Sequence, residues 1–204
     1  AAAAKSEDVQ AVKDSHYWGH YPVVDVEYET DAPVSVGLRA WSPLIPGDTA
    51  ASNIPAAVFE VHLRNNSAQV QRGTIAFNFP GPDRQEARTL EFTRQSVRED
   101  INGMLVSATN GWVNYLVGTL GDVAPRFGDG LCSQPKAWSQ IAEKLPDASF
   151  REENGQKIYL GGASSAAVDF ELASGAEQVV RFILAWYAPV VEGVRHIWGK
   201  EDEV

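Results

Sequence analysis

What the chain lacks narrows it first. Cys132 is the one cysteine among 204 residues, which excludes an intrachain disulfide and leaves the redox compartment open. Its side chain reads as a small apolar group, buried or half-buried. Basic residues are few, with 17 Lys and Arg against 27 Asp and Glu, a net charge of -10 and a pI near 4.8. That balance argues against nucleic acid, whose backbone is bound by clustered cations that displace counterions. No apolar run approaches the ~18 residues a spanning helix needs, so no membrane span is expected, and the acidity repels anionic lipid. The opening AAAAKSEDVQAVKDSH has no basic region followed by an apolar core, so it is not a secretory signal as it stands. A soluble chain is expected, with the compartment left open and the cytoplasm slightly favoured. Also missing are a G-x-S-x-G elbow, a Gly-Lys-Ser phosphate loop, an H-E-x-x-H pair and a Cys-x-x-Cys spacing. No catalytic residue, cofactor or metal is expected on those grounds.

What remains is a globular composition, 44% hydrophobic and 22% charged. Its main signal is alternation. Residues 23–29 read VVDVEYE, with Val24, Val26 and Tyr28 on one face and Asp25, Glu27 and Glu29 on the other. The same period-2 pattern, bounded by Gly, Pro, Asn or Asp, recurs at 34–40, 57–64, 71–79, 89–94, 104–108, 114–119, 166–172 and 180–186. Nine strands are predicted. Asn65-Asn66-Ser67 marks a hairpin between 57–64 and 71–79, and 173–176 turns between the last two strands. The one predicted helix covers 135–145, where Ala137, Trp138, Ile141, Ala142 and Leu145 share a face, Ser133 caps the start and Pro146 stops it. Many one-faced strands and one short helix predict an all-β, two-layer antiparallel β-sandwich, supersandwich-like. Residues 20–191 read as that domain, 1–19 as an N-terminal extension, and 192–204 as a tail or the start of a linker.

Candidate chemistry is sparse. His16 and His20 would hold a metal only on a helix, which Gly19 and Pro22 oppose. His62, beside Glu60 and Arg64, belongs to a solvated strand face, and His196 to a terminal segment. Asp25, Glu27 and Glu29 share an outer face that favours solubility over a catalytic pair. Asp122 and Asp129 read as turn residues, since their spacing fits no calcium loop. Trp138 and Trp186 fall on predicted buried faces, whereas Trp41 and Trp112 abut turns and are candidates to line a sugar-facing groove.

The most particular stretch is WSPLIPGDTAASNIPAAVFEV, a proline-punctuated corner that becomes a strand. With its flanks, VSVGLRAWSPLIPGDTAASNIPAAVFEVHLRN resembles the N-terminal β-sandwich of family 116 glycoside hydrolases, β-glucosidases that include the non-lysosomal, bile-acid-type glucosylceramidases. Ser42-Pro43-Leu44-Ile45-Pro46, Asn53-Ile54-Pro55 and Ala57-Val58-Phe59-Glu60 stand at matching places, with Leu44 where Phe is usual. YPVVDVEYETDAP and VVRFILAWYAPV look like further strands of the family. The resemblance implies a catalytic nucleophile and acid/base in a following (α/α)6 helical domain, which would be this chain's partner in cis or as a separate chain. No catalytic residue carries over, and some early strands of the family's domain are expected to precede this chain. Trp41, Ser42, Pro43, Leu44, Ile45 and Pro46 then become a rigid surface feature facing that partner. A stand-alone carbohydrate-binding or structural interaction module is the alternative. The NNS triplet at 65–67 would accept a glycan only on a secretory route.

Overall fold

All nine alternating segments become strands. A computed structural model describes residues 9–132 and 135–188. Ser133, His196, Trp198 and the segment 192–204 lie outside them. Among the described residues the strands are β1 (Asp14–His20), β2 (Val23–Glu29), β3 (Val34–Trp41), β4 (Ala56–Asn65), β5 (Gln71–Phe79), β6 (Glu91–Arg98), β7 (Ile101–Ala108), β8 (Asn114–Leu120), β9 (Arg126–Gly128), β10 (Phe150–Glu153), β11 (Gln156–Leu160), β12 (Ser164–Leu172) and β13 (Glu177–Tyr187). Three one-turn helices punctuate them: α1 (Thr49–Ser52), α2 (Arg84–Ala87) and α3 (Pro135–Ser139).

The strands form a ten-stranded sheet in the order β1-β2-β3-β4-β13-β8-β7-β6-β11-β10 and a three-stranded sheet in the order β5-β12-β9, with antiparallel pairing throughout. The smaller sheet covers the middle of the larger. Phe59, Val61, Val117, Val180 and Phe182 from one layer meet Ile75, Phe77, Ala166 and Val168 from the other. Phe77 joins the two, with ring centroids 4.8 Å from Phe59 and 5.7 Å from Phe182. The fold is an all-β sandwich.

Strand connections depart from the sequence reading. β4 and β5 do not form a hairpin, because β4 pairs with β3 and β13 while β5 pairs with β12 in the opposite layer. The 173–176 turn likewise carries the chain from one layer to the other. Both crossings are arches, and one buried side chain ties them together. Asn65 is fully buried, and its Nδ2 donates to the carbonyls of Gln69 at 2.7 Å and of Leu172 and Ala173 at 3.0 Å. Its Oδ1 accepts from the Ser67 amide and hydroxyl, its backbone N–H donates to Ala176, and its carbonyl accepts from Gly175. A buried amide must find such partners, and here they lie on both arches.

The predicted helix is cut short. Only 135–139 are helical; beyond them the backbone tightens into turns, with the Gln140, Ile141 and Glu143 amides donating to the carbonyls three residues earlier, and the Arg126 guanidinium donates to the Ile141 carbonyl at 2.9 Å. Leu145 still reaches the core beside Leu131 and Ala167. Two side-chain placements also change. Cys132 is exposed, in a loop with φ 49°, because the buried neighbour in that loop is Leu131. Trp186 is 41% exposed, since β13 runs past the end of the smaller sheet that would have covered it.

Candidate functional site

The corner between β3 and β4 is tied down by its own polar side chains. Asp48 caps α1 by accepting from the Ala51 amide, and Ser52 Oγ accepts from the Ile45 amide at 2.8 Å and donates to the Asp48 carbonyl at 2.7 Å. Ser42 Oγ donates to the Ala56 carbonyl at 2.8 Å, fastening the loop to the start of β4. With the polar atoms turned inward, the apolar ones face water: Leu44, Ile45 and Ile54 are 42%, 51% and 51% exposed.

Register places more apolar surface at the same end of the large sheet. Trp41 pairs with Val58, Ala56 with Ala185, and the Trp186 amide donates to the Pro55 carbonyl. The corner therefore stands beside the end of β13, where Trp186 and Tyr187 are exposed, and beside Tyr21 in the β1–β2 turn. Tyr21, Leu44, Ile45, Ile54, Trp186 and Tyr187 are thus exposed along one end of the large sheet, an apolar rim in which Trp186 and Tyr187 point to opposite faces of β13.

Trp41 and Trp112 do not converge. Trp41 ends β3 and Trp112 precedes β8, with β4 and β13 between, about 14 Å at ordinary strand spacing. The face of Trp112 is moreover occupied, because the Arg88 guanidinium lies 3.8 Å from its ring centroid.

The outward face of β1–β4 carries the polar residues that alternation placed there. An open cleft of about 450 Å³ lies over it, lined by Trp18, Asp25, Glu27, Gly37, Arg39 and His62. Arg39 holds Asp25 with two hydrogen bonds, Nε to Oδ1 at 2.7 Å and Nη2 to Oδ2 at 3.1 Å. Arg181 Nε donates to Glu60 at 2.7 Å, and His62 Nε2 lies 3.6 Å from the same carboxylate. The Arg39 hydrogen bonds hold the Asp25 carboxyl below its usual range, and that from Arg181 does the same for Glu60. A glycosidase general acid needs the opposite shift. On this face Asp25 and Glu60 are therefore ion-paired, whereas the Glu27 carboxylate is not.

Other candidates resolve as follows. His16 and His20 are four residues apart on a strand, about 13 Å, and His16 instead meets Asp14 and Glu29, with one ligand atom of each within 4.8 Å of the others on an exposed surface. Asp129 pairs with the nearly buried Arg94 at 2.9 Å. Trp138 packs beside Leu131 and donates its indole N–H to the Cys132 carbonyl at 3.0 Å. The sequence reading passed over Trp18, Gly37 and Arg39 as a group, although a glycine inside an alternating strand is a signal of close approach or an opening.

Solved structures to which this chain is similar include these two. A protein described as a kojibiose phosphorylase from the human microbiome has a TM-score of 0.35 at 8% identity over 81% of this chain. The galactosidase domain of an alpha-galactosidase-sucrose kinase, AgaSK, has a TM-score of 0.32 at 11% identity over 91% of it. The chain spans 17% and 26% of the lengths of these two proteins. No curated protein matches it. A family model described as "beta-glucosidase 2, glycosyl-hydrolase family 116 N-term" matches residues 2–200, nearly the whole sequence, and the chain belongs to that N-terminal domain family.

Proposed function

We propose that this chain is the non-catalytic β-sandwich portion of a family 116-type β-glucosidase, supporting a helical catalytic domain that hydrolyses β-glucosides. The apolar rim carries the reading. Its corner is braced by Ser42, Asp48 and Ser52 so that Leu44, Ile45 and Ile54 stay in water, and the rim lies where β13 hands the chain on to residues 189–204. Apolar side chains held rigidly in solvent beside that exit favour contact with a neighbouring domain. Trp41, Ser42, Pro43, Leu44, Ile45 and Pro46 form one wall of the contact. The ion-paired acids of the outer sheet face leave hydrolysis to the partner.

The test is co-expression with a helical catalytic domain of a family 116 β-glucosidase. The pair should co-elute in size-exclusion chromatography and turn over an aryl β-glucoside, while an Ile45→Asp, Tyr187→Asp double variant should elute separately. Co-elution of that variant with undiminished affinity would remove the rim from the proposal. Turnover by the chain alone, lost on a single carboxylate substitution, would overturn the non-catalytic reading.

A further inference from the structure

Gly37 sits in the middle of β3, where glycine costs stability and ordinarily answers a structural need. None of the usual needs is present. The β2-β3-β4 register runs through it without a bulge, its φ is not positive, and a Cβ there would meet nothing nearer than the Val26 carbonyl oxygen at 3.8 Å and His62 Cβ at 3.9 Å. Gly118 in β8 shows the contrast, since its Cβ would strike the Asn102 carbonyl oxygen at 2.5 Å. The smallness of residue 37 therefore serves the space above it.

That space is the cleft on the outer sheet face. Trp18, 49% exposed, presents an indole on one side. Asp25 and Arg39, fixed against each other by two hydrogen bonds, offer an acceptor and donors whose positions are set before anything binds. The Glu27 carboxylate makes no hydrogen bond or ion pair to the described residues, and His62 completes the wall. An anion would meet Asp25 and Glu27, and a cation would meet Arg39. A neutral ring with hydroxyls on its edge and C–H groups on a face satisfies all of them, stacking on Trp18 while its hydroxyls donate to the carboxylates and accept from Arg39. The volume of about 450 Å³ lies in the range of small-molecule sites.

We infer that the Trp18–Gly37–Arg39 cleft binds a pyranose unit of a neutral carbohydrate, non-catalytically, through residues other than those of the apolar rim. The inference does not depend on rim docking, and its variants leave the rim unchanged. The experiment titrates the 204-residue chain with methyl β-glucoside and cellobiose while following the tryptophan indole N–H resonances. Trp18, assigned with Trp18→Phe, should shift saturably while Trp112 does not. Gly37→Val, which fits the backbone and suits a strand, should fill the floor and weaken binding about tenfold or more, one decade of affinity, with a melting temperature no lower than the parent's. Glu27→Gln should weaken it less. A Trp18 resonance that does not move at saturating sugar, or a folded Gly37→Val chain that binds as well as the parent, would overturn the site.

Discussion

The two ends of the large sheet are built on opposite plans. At one end the turns are polar, and Asn65 is buried so that its amide binds both arches from within. At the other, polar side chains such as Ser42 and Ser52 are spent on the loop's own backbone, and Ile45, Ile54 and Tyr187 are left in water. Burying a polar group with all its partners makes a closed end that specifies the fold. Exposing apolar groups on a braced loop makes an end that is finished only by another surface.

If that contrast holds, substitutions at the two ends should separate stability from association. Asn65→Ala should have the largest effect on folding, about 3 kcal/mol, because three carbonyls, that of the buried Leu172 among them, lose their donor at once and the buried side chain leaves a gap. For a domain of this size that is a fall in melting temperature of about 6 to 12 °C, readable by circular dichroism. Ser42→Ala, which frees one end of the corner, should cost about 1 kcal/mol and weaken association with the helical domain as well.

Acid should act on the ion-paired strand faces, at Asp25 and Glu60 in the large sheet and at Asp169 and Glu171 in the small one, whose carboxyls are lowered by Thr74 with Arg126 and by Arg72. Asp25 and Glu60 have carboxyls depressed by Arg39 and Arg181. A depressed folded-state pKa adds stability above the unfolded value, near pH 4, and that stability is lost as pH falls through the folded value. Melts at pH 7 and pH 3 should show the loss only on the acid side, and Asp25→Asn should reduce it. The Asn65 network does not titrate, so Asn65→Ala should shift both melts alike. Smallest should be the effect of Ile45→Asp with Tyr187→Asp on folding, within about 0.5 kcal/mol per site. A large fall in the melting temperature of that double variant would show that the rim is packed for stability, and the contrast would collapse.

Most strands were legible because an apolar face at period 2 is a direct imprint of a covered sheet. The edge strand β1 was not, since DSHYWGH is exposed along its whole length and has no apolar face to betray it. The β10–β11 hairpin was legible and overlooked: Asn154-Gly155, both with positive φ, is the turn that joins it. The same holds for α2, whose Asp83 and Glu86 form a capping box. Pairing was legible at tight turns, as at Asp31-Ala32-Pro33 between the paired β2 and β3, but not elsewhere. Alternation says that a strand has a partner layer but not which strand lies beside it, so the arches passed for hairpins. Of the site, the exposure of Leu44 and Ile45 could be expected from a proline corner, whereas Trp186 could not, because its face points inward and only the reach of the opposite layer leaves it bare.

The position of β13 has a consequence for how the chain is made. The last described strand to be synthesised lies between β4 and β8, so it joins two half-sheets that have no direct contact in the ladder without it. Until it emerges, both halves carry an unpaired edge, the condition under which nascent β proteins associate wrongly. Its ion pair from Arg181 to Glu60 closes a separation of 121 residues, and contacts of that range make for slow folding. A ribosome stalled before residue 177 would therefore present two sticky fragments, and a chaperone would have to hold them apart until the keystone arrives.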